Sequence, residues 1–169
     1  MSSLQGQTAF VTGAGTGIGR AIAIDLAAAG VKVIVCGRRA GPLEETVQAI
    51  TDAGGMGSAV TCDLTDPDAI EQCAQALLDE HGTIDILINN AGFSSKIRST
   101  RYVGAKEWRD VMDVNTMGPV VLTRALLPTS SLRSNSIVYR SPYSSFTLLL
   151  LTQNSIFGRT RIITIQIPP

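Results

Sequence analysis

A glycine-rich segment joins an apolar run to a helical pattern near the start of the chain. Residues 8–11 (Thr-Ala-Phe-Val) have the pattern of a short buried strand, and residues 18–29 place apolar side chains at helical spacing. Between them, residues 12–19 read Thr-Gly-Ala-Gly-Thr-Gly-Ile-Gly. Glycines permit a tight turn and let a phosphate approach the backbone, while the helix start offers unpaired N–H groups and a positive dipole end. The segment therefore predicts a binding site for a diphosphate.

Strand and helix patterns alternate four times within the first 90 residues. Further strands are predicted over residues 31–36, 58–62 and 84–88, and helices over residues 43–53 and 66–80. This alternation predicts an α/β fold in which a parallel sheet carries helices on both faces, joined by right-handed crossovers. A long helical pattern over residues 105–127 follows, with a candidate kink at Gly118-Pro119, and Pro128 ends it.

The chain changes in composition after Pro128. Residues 129–169 contain no Ala, Asp, Glu or Lys, one Gly, and many Ser and Thr. Candidate strands stand at residues 137–139 and 163–167, but no convincing amphipathic helix does. We therefore divide the chain into residues 1–128 and an atypical tail, residues 129–169. Translation out of frame, or from retained non-coding sequence, is one hypothesis for such a tail.

Charge and cysteine content exclude several classes of protein. The formal net charge is 0, so no overall field attracts the chain to nucleic acid or to an anionic membrane. Cys36, Cys62 and Cys73 are predicted to be small buried thiols in a reducing compartment, and no cluster has the spacing of metal ligands. There is no secretory leader and no membrane-spanning run, so we expect a cytoplasmic protein.

Two motifs resemble those of the short-chain dehydrogenase/reductase family. Residues 12–19 fit Thr-Gly-x-x-x-Gly-x-Gly, and Asn89-Asn90-Ala91-Gly92 follows a strand about 70 residues later. The resemblance covers residues 5–128. It implies a Rossmann-like, doubly wound parallel sheet whose C-terminal half is incomplete here. It also implies an NAD(P)(H)-dependent oxidoreductase that reduces a carbonyl or oxidises a secondary alcohol.

The resemblance implies a set of cofactor-binding residues. They are Gly13, Thr16, Gly17, Ile18, Gly19, Arg38, Asp63, Leu64, Asn90, Ala91 and Gly92. An acid after the second strand would hold the ribose hydroxyls and repel a 2′-phosphate, but Gly37 and Arg38 stand there. A guanidinium suits a 2′-phosphate through paired hydrogen bonds, so the sequence favours NADP over NAD. In the family, the residues matching Asp63 and Leu64 lie against the adenine.

The catalytic residues that the resemblance implies are only partly present. Asn115 matches the family's catalytic Asn, which helps to hold a water linked to a catalytic Lys. The family also uses a Tyr-x-x-x-Lys pair, in which Tyr transfers the substrate proton and Lys lowers the pKa of Tyr. After Asn115 the chain has Tyr139 and Tyr143 but no Lys. Tyr102-Val-Gly-Ala-Lys106 precedes Asn115, and Gly104 would break a helix there, so we reject it as a substitute.

Three hypotheses for function stay open. The first is an oxidoreductase that acts on a small carbonyl or alcohol, with turnover near background. The second is a non-catalytic product that binds nucleotide and forms homo-oligomers, or pairs with intact relatives, through the helix around residues 108–127. The third is a chain too incomplete to fold stably, because parallel strands need both faces covered.

Overall fold

A computed structural model describes residues 4–97, 100–127 and 161–164 of the protein. Its sheet has five strands: β1 (Thr8–Thr12), β2 (Lys32–Gly37), β3 (Met56–Thr61), β4 (Ile86–Asn89) and β5 (Arg161–Thr164). The strand order is β3-β2-β1-β4-β5, and every pair of neighbours is parallel. The predicted α/β fold with a doubly wound parallel sheet is confirmed.

Five α-helices connect or cover these strands. They are α1 (Gly17–Ala28), α2 (Ala40–Asp52), α3 (Pro67–His81), α4 (Ala105–Met112) and α5 (Gly118–Leu126). Of the two candidate caps for α3, Thr65 and Asp66, the structure has Asp66, whose carboxylate accepts hydrogen bonds from the amides of Asp68 (3.0 Å) and Ala69 (3.2 Å). Among the described helices, none has both the length and the apolar character needed to cross a membrane.

Each face of the sheet carries its own apolar cluster. On one face, Phe10, Ile34 and Leu87 pack with side chains of α3 and α5. On the other face, Val11, Val33, Val35 and Ile88 pack with side chains of α1 and α2. Successive strand residues point to opposite faces, so one apolar strand supplies both layers. This arrangement places the carboxyl ends of β1 to β4, and the loops that follow them, along one edge of the sheet.

The helix predicted over residues 105–127 is confirmed, because residues 105–126 are helical without a break. Within this run a π-helical turn, Asp113–Met117, lies between α4 and α5, and the Gly118 amide donates to the carbonyl oxygen of Asp113. Pro119 has no N–H, so the usual bond back to residue 115 cannot form, and the preceding turn widens. The helix is therefore widened just before Gly118-Pro119, where a kink was expected.

The described part of the tail supplies the fifth strand. Strand β5 pairs with β4 in the register Ile86↔Arg161 to Asn89↔Thr164. It overlaps the candidate strand at residues 163–167, whereas the candidate at residues 137–139 lies outside the described residues. The division into residues 1–128 and 129–169 stays a prediction.

Candidate functional site

The turn between β1 and α1 packs against the loop after β4, and only glycine fits at the contact. A Cβ on Gly19 would lie 2.4 Å from both Asn90 Nδ2 and the Gly13 oxygen. A Cβ on Gly13, whose φ is +65°, would lie 2.8 Å from the Ala91 Cα. Such separations are far inside van der Waals contact. The glycines therefore bring the two sequence motifs together at the carboxyl edge of the sheet.

The first turn of α1 presents backbone donors that the helix itself does not use. Thr16, the residue before α1, makes no side-chain hydrogen bond to the helix amides among the described residues. The first bond along the helix runs from the Arg20 amide to the Thr16 oxygen (3.4 Å), so the amides of residues 17–19 have no intrahelical acceptor.

The space in front of this turn is open. Gly17 has a φ of +57°, and apart from its neighbours in the chain and its own helix backbone, no atom of the described residues lies within 4 Å of the position that its Cβ would take. Ile18 is 48% exposed although it is apolar. Unpaired amides, a positive helix end and open space together suit an anionic group such as a diphosphate.

Thr12 and Asn90 hold the turn in place through buried hydrogen bonds. The Thr12 hydroxyl accepts from the amides of Asn90 and Ala91, both at 3.0 Å, and donates to the Ile88 oxygen at 3.3 Å. The Asn90 side-chain amide donates to the carbonyl oxygens of Thr12 (3.0 Å) and Gly13 (3.3 Å). Asn90 Oδ1 is buried and has no hydrogen-bond partner among the described residues, so this acceptor is available to a donor on a bound group.

A second hydroxyl supports the same turn from α2. Thr46 is fully buried, and its hydroxyl is 3.0 Å from both the Ala14 and the Pro42 oxygens. Sequence reasoning missed Thr12 and Thr46. For Thr46 a signal existed, because it stands with Leu43 and Ile50 on the apolar face of α2, where a polar residue needs a partner.

Arg38 and Asp63 follow β2 and β3 at the same edge, and both are exposed. Asp63 Oδ1 accepts hydrogen bonds from the amide (3.0 Å) and the hydroxyl (2.9 Å) of Thr65. These bonds, the amide first, and the positive charge of Arg38 lower the pKa of Asp63. The Asp63 carboxylate is therefore favoured in its ionised form, at the same edge of the sheet as Arg38.

Leu64 connects this edge to α5. Leu64 is buried, and a Cβ on Gly118 would lie 2.7 Å from its carbonyl oxygen. The first residue of α5 thus packs directly on the backbone beside Asp63.

Asn115 fixes the backbone of the loop after β4. Its Oδ1 accepts from the Phe93 amide (3.0 Å), and its Nδ2 donates to the Phe93 oxygen (2.8 Å). A Cβ on Gly92 would lie 2.8 Å from this Oδ1, so the contact requires glycine there. Asn115 belongs to the π-helical turn. Its role in catalysis stays a prediction.

The rejected Tyr102 and Lys106 do not form a pair in the structure. Tyr102 is 72% exposed, and the Lys106 ammonium binds the Asp110 carboxylate at 2.7 Å. Tyr139 and Tyr143 lie outside the described residues.

Comparison with known proteins identifies the family. The model of the short chain dehydrogenase family matches residues 7–144. This chain belongs to that family. The match extends beyond Pro128, where the resemblance was predicted to end.

Two relatives and one solved structure illustrate the similarity. Dehydrogenase/reductase SDR family member 7B of Rattus norvegicus is 37% identical over an alignment 161 residues long, which covers 84% of this chain and 49% of that protein. Fatty acyl-CoA reductase of Acinetobacter baylyi is 40% identical over an alignment 136 residues long, which covers 79% of this chain and 45% of that protein. A metagenomic short-chain oxidoreductase in complex with NADP superposes with a TM-score of 0.75 at 37% identity, covering 81% of this chain and 62% of that one. The chain spans about half the length of the curated relatives it matches.

Proposed function

We propose that this chain binds a nicotinamide dinucleotide, with NADP preferred to NAD, at the turn between β1 and α1. The observation that carries the proposal is the start of α1. The amides of residues 17–19 have no helical acceptor, Thr16 does not cap them, and the space at Gly17 is open. The NADP complex of the metagenomic relative supports the choice of ligand class.

The site is held in shape before any ligand arrives. Thr12 and Asn90 fix the turn through five hydrogen bonds of 3.0–3.3 Å, all at least partly buried. A turn that is already ordered loses little conformational entropy on binding, so more of the interaction energy remains as affinity.

The preference for NADP rests on Arg38. Its guanidinium follows β2, where a carboxylate would repel a 2′-phosphate, and it can form paired, charge-assisted hydrogen bonds to that phosphate. Asp63 and Leu64 follow the neighbouring strand β3, and we assign them to the adenine side of the site.

For a protein that has the complete family fold, we propose that it reduces a carbonyl or oxidises a secondary alcohol. A bound nicotinamide supplies or accepts the hydride, and residues of the chain must transfer the substrate proton. Asn115 orders the loop at Phe93, but Lys106 is the last lysine of the sequence and it pairs with Asp110. We therefore expect this 169-residue chain to bind nucleotide with little turnover.

The lack of a lysine after Asn115 also favours a non-catalytic alternative. A chain that binds nucleotide without turnover could act through association, and α4 exposes Trp108 (45%) and Met112 (48%). Large exposed apolar side chains on one helix are typical of contact surfaces. Under this alternative the partner is a second copy or an intact relative.

Calorimetric titration with NADPH and NADH tests the proposal. We expect Arg38→Asp to weaken NADPH binding by about 10- to 100-fold, the equivalent of one hydrogen bond to a charged group, and to leave NADH binding unchanged or tighter. Arg39→Asp is the matched control, since it makes the same charge change at the next exposed position. Equal losses in the two variants, or no binding by the wild type, would contradict the proposal.

Activity is tested separately with NADPH and a panel of small aldehydes and ketones. We expect oxidation of NADPH near background, because loss of one positioned acid–base group typically slows a reaction by about 10²- to 10⁴-fold. Steady carbonyl-dependent oxidation that Asn115→Ala abolishes would show that the chain is an active enzyme.

A further inference from the structure

All three cysteines of the chain lie in one buried cluster beside the proposed nucleotide site. Cys36 is in β2, Cys62 directly follows β3, and Cys73 is in α3, and all are free thiols in the apolar layer between the sheet and α3. They were predicted to be small buried thiols, and they are 1%, 7% and 9% exposed. The described residues contain no group of three ligands placed to hold a metal ion. Three free thiols are therefore grouped in one apolar layer.

Cys62 is the central thiol of the cluster. Hydrogen bonding from the thiols of Cys36 and Cys73 lowers the pKa of Cys62, against opposing effects of burial and of the carboxylates of Asp63 and Asp66. The same interactions raise the pKa of Cys36 and of Cys73. Because the thiolate is the form that reacts with oxidants, Cys62 is the first thiol expected to react.

The register of the sheet separates Cys36 from Cys62. Cys36 pairs with Val60, and the Cys62 amide donates to the Gly37 oxygen at 3.1 Å. Cys62 is thus two residues further along its strand. Two residues of rise and one strand spacing put the two Cα atoms about 8 Å apart. A disulfide needs about 4.4–6.8 Å, and the hydrogen-bonded ladder resists the shift that would be required.

Cys73 is the better partner for Cys62. The sulfur of Cys62 lies 3.8 Å from the Ala69 oxygen, and Ala69 is one helical turn before Cys73 on α3. Residues four apart on a helix lie on the same face, so Cys73 follows Ala69 on the side facing Cys62. Helix α3 is joined to the sheet by packing rather than by a backbone ladder, so it can move to close the bond.

We propose that Cys62 is a site of oxidation by hydroperoxides and that Cys73 then closes a Cys62–Cys73 disulfide. The Cys62 thiolate attacks one oxygen of the peroxide, the O–O bond breaks, and a sulfenic acid and one water (an alcohol, from an alkyl peroxide) result after uptake of a proton. The Cys73 sulfur then attacks the Cys62 sulfur, loses its proton and releases the hydroxyl as a second water. In total the two thiols lose two electrons, and the peroxide accepts them.

This disulfide alters the nucleotide site, a consequence that rests on the proposed function. It closes a loop from Cys62 to Cys73 that contains Asp63, Leu64 and the cap of α3, Asp66. Drawing α3 toward β3 moves the backbone that presents Asp63. Oxidation is therefore expected to weaken NADPH binding, and reduction to restore it.

The chemistry is tested on the purified 169-residue chain with hydrogen peroxide, followed by alkylation and mass spectrometry. When the alkylation is done in urea, we expect three alkylated thiols in the untreated chain and one in the treated chain, with a mapped Cys62–Cys73 peptide. We expect the thiols of the folded chain to be oxidised faster than those of the urea-unfolded chain, because the thiolate is the form that reacts. A mapped Cys36–Cys62 bond, or loss of thiols no faster than in the urea-unfolded chain, would overturn the proposal.

Three single-residue variants each test the role of one cysteine in the proposed oxidation. Cys73→Ser is expected to stop at a Cys62 sulfenic acid that a 1,3-diketone captures, whereas Cys62→Ser is expected to keep both remaining thiols reduced. Cys36→Ser should still form the disulfide, since Cys36 hydrogen-bonds to Cys62 but is not part of the Cys62–Cys73 disulfide. Capture on Cys73 in Cys62→Ser would contradict the order of steps.

Titration of the reduced, oxidised and re-reduced chain with NADPH tests the regulatory consequence. We expect the Kd to rise at least about fivefold on oxidation and to return after dithiothreitol. An unchanged Kd in a chain with the mapped disulfide would refute regulation of the site. Failure of the reduced chain to bind NADPH would instead refute the proposed function, while the peptide mapping would still decide the thiol chemistry.

Discussion

Replacing Gly17 with alanine tests directly whether the open space at the start of α1 is a binding site. Gly17 has a φ of +57°, and in the described part of the chain nothing outside its own helix and chain neighbours lies within 4 Å of the position of its missing Cβ. A left-handed conformation costs alanine about 1–2 kcal/mol, and the reduced entropy of the unfolded chain offsets about 0.4–1 kcal/mol of this. The Gly17→Ala protein should therefore fold, with a free energy of unfolding lowered by about 1 kcal/mol.

Gly54 provides a matched control. It has a φ of +78°, also with nothing within 4 Å of the Cβ position, and it lies between α2 and β3 at the opposite end of the strands. Gly54→Ala should lose a similar amount of stability. Any difference between the two variants in ligand binding then reflects the place of the methyl group and not the strain.

The two variants should differ clearly in affinity for NADPH. The methyl group that Gly17→Ala adds would occupy the space through which a phosphate reaches the helix amides. Loss of one hydrogen bond to a charged group corresponds to about 1.5–3 kcal/mol, or about 10- to 100-fold in Kd. Calorimetric titration measures this change, with urea unfolding as the check on stability. Wild-type affinity in Gly17→Ala, or equal losses in both variants, would refute the assignment of the site.

Three further predictions concern the residues around the site. Thr12→Val should lower the unfolding free energy in urea by about 1–3 kcal/mol, because it leaves the Ala91 amide without an acceptor among the described residues, whereas the Asn90 amide keeps its hydrogen bond to the Ile88 oxygen at 3.1 Å. Thr51→Val, on an exposed helical turn, should change it by less than about 0.5 kcal/mol. Gly118→Ala should cost about 1–3 kcal/mol in the same assay, since its Cβ would lie 2.7 Å from the Leu64 oxygen, while Gly104→Ala meets nothing within 4 Å and should cost little. The pKa of Asp63 is lowered in the folded state, so its carboxylate stabilises the fold above its ordinary pKa of about 3.9, and this contribution disappears as the pH falls through the lowered value. Asp63→Asn should thus reduce stability at pH 7 by less than about 1 kcal/mol, given the exposure of the carboxylate, and the difference from wild type should vanish in strong acid; a difference that grows toward low pH would contradict this.

Much of the fold could be predicted from local patterns. The apolar residues 31–36 and the glycines of residues 12–19 constrain the backbone near themselves, so the strand β2 and the turn before α1 appear where expected. The Asn-Asn-Ala-Gly motif is likewise local, and it follows an apolar strand as expected, so its position relative to the turn before α1 could be predicted. These features depend on hydrophobic period and backbone freedom, which neighbouring residues determine.

Other parts of the site depend on residues far apart in the sequence. The Thr12 hydroxyl forms hydrogen bonds with backbone groups 76–79 positions away in the sequence. The Asn115 side chain forms hydrogen bonds with the backbone of Phe93, 22 positions away. No local pattern shows which distant amide a buried hydroxyl will meet, because the sheet order decides which strand ends become neighbours. For the same reason the sequence predicted three buried thiols but not their grouping, and it predicted a tail but not which of its residues would pair with β4. The sequence by itself determined the alternating elements and the glycine turn, since those follow from short-range sterics and periodicity. The tertiary structure decided the hydrogen-bond partners, the thiol cluster and the fifth strand, since those follow from packing between segments that only the folded sheet brings together.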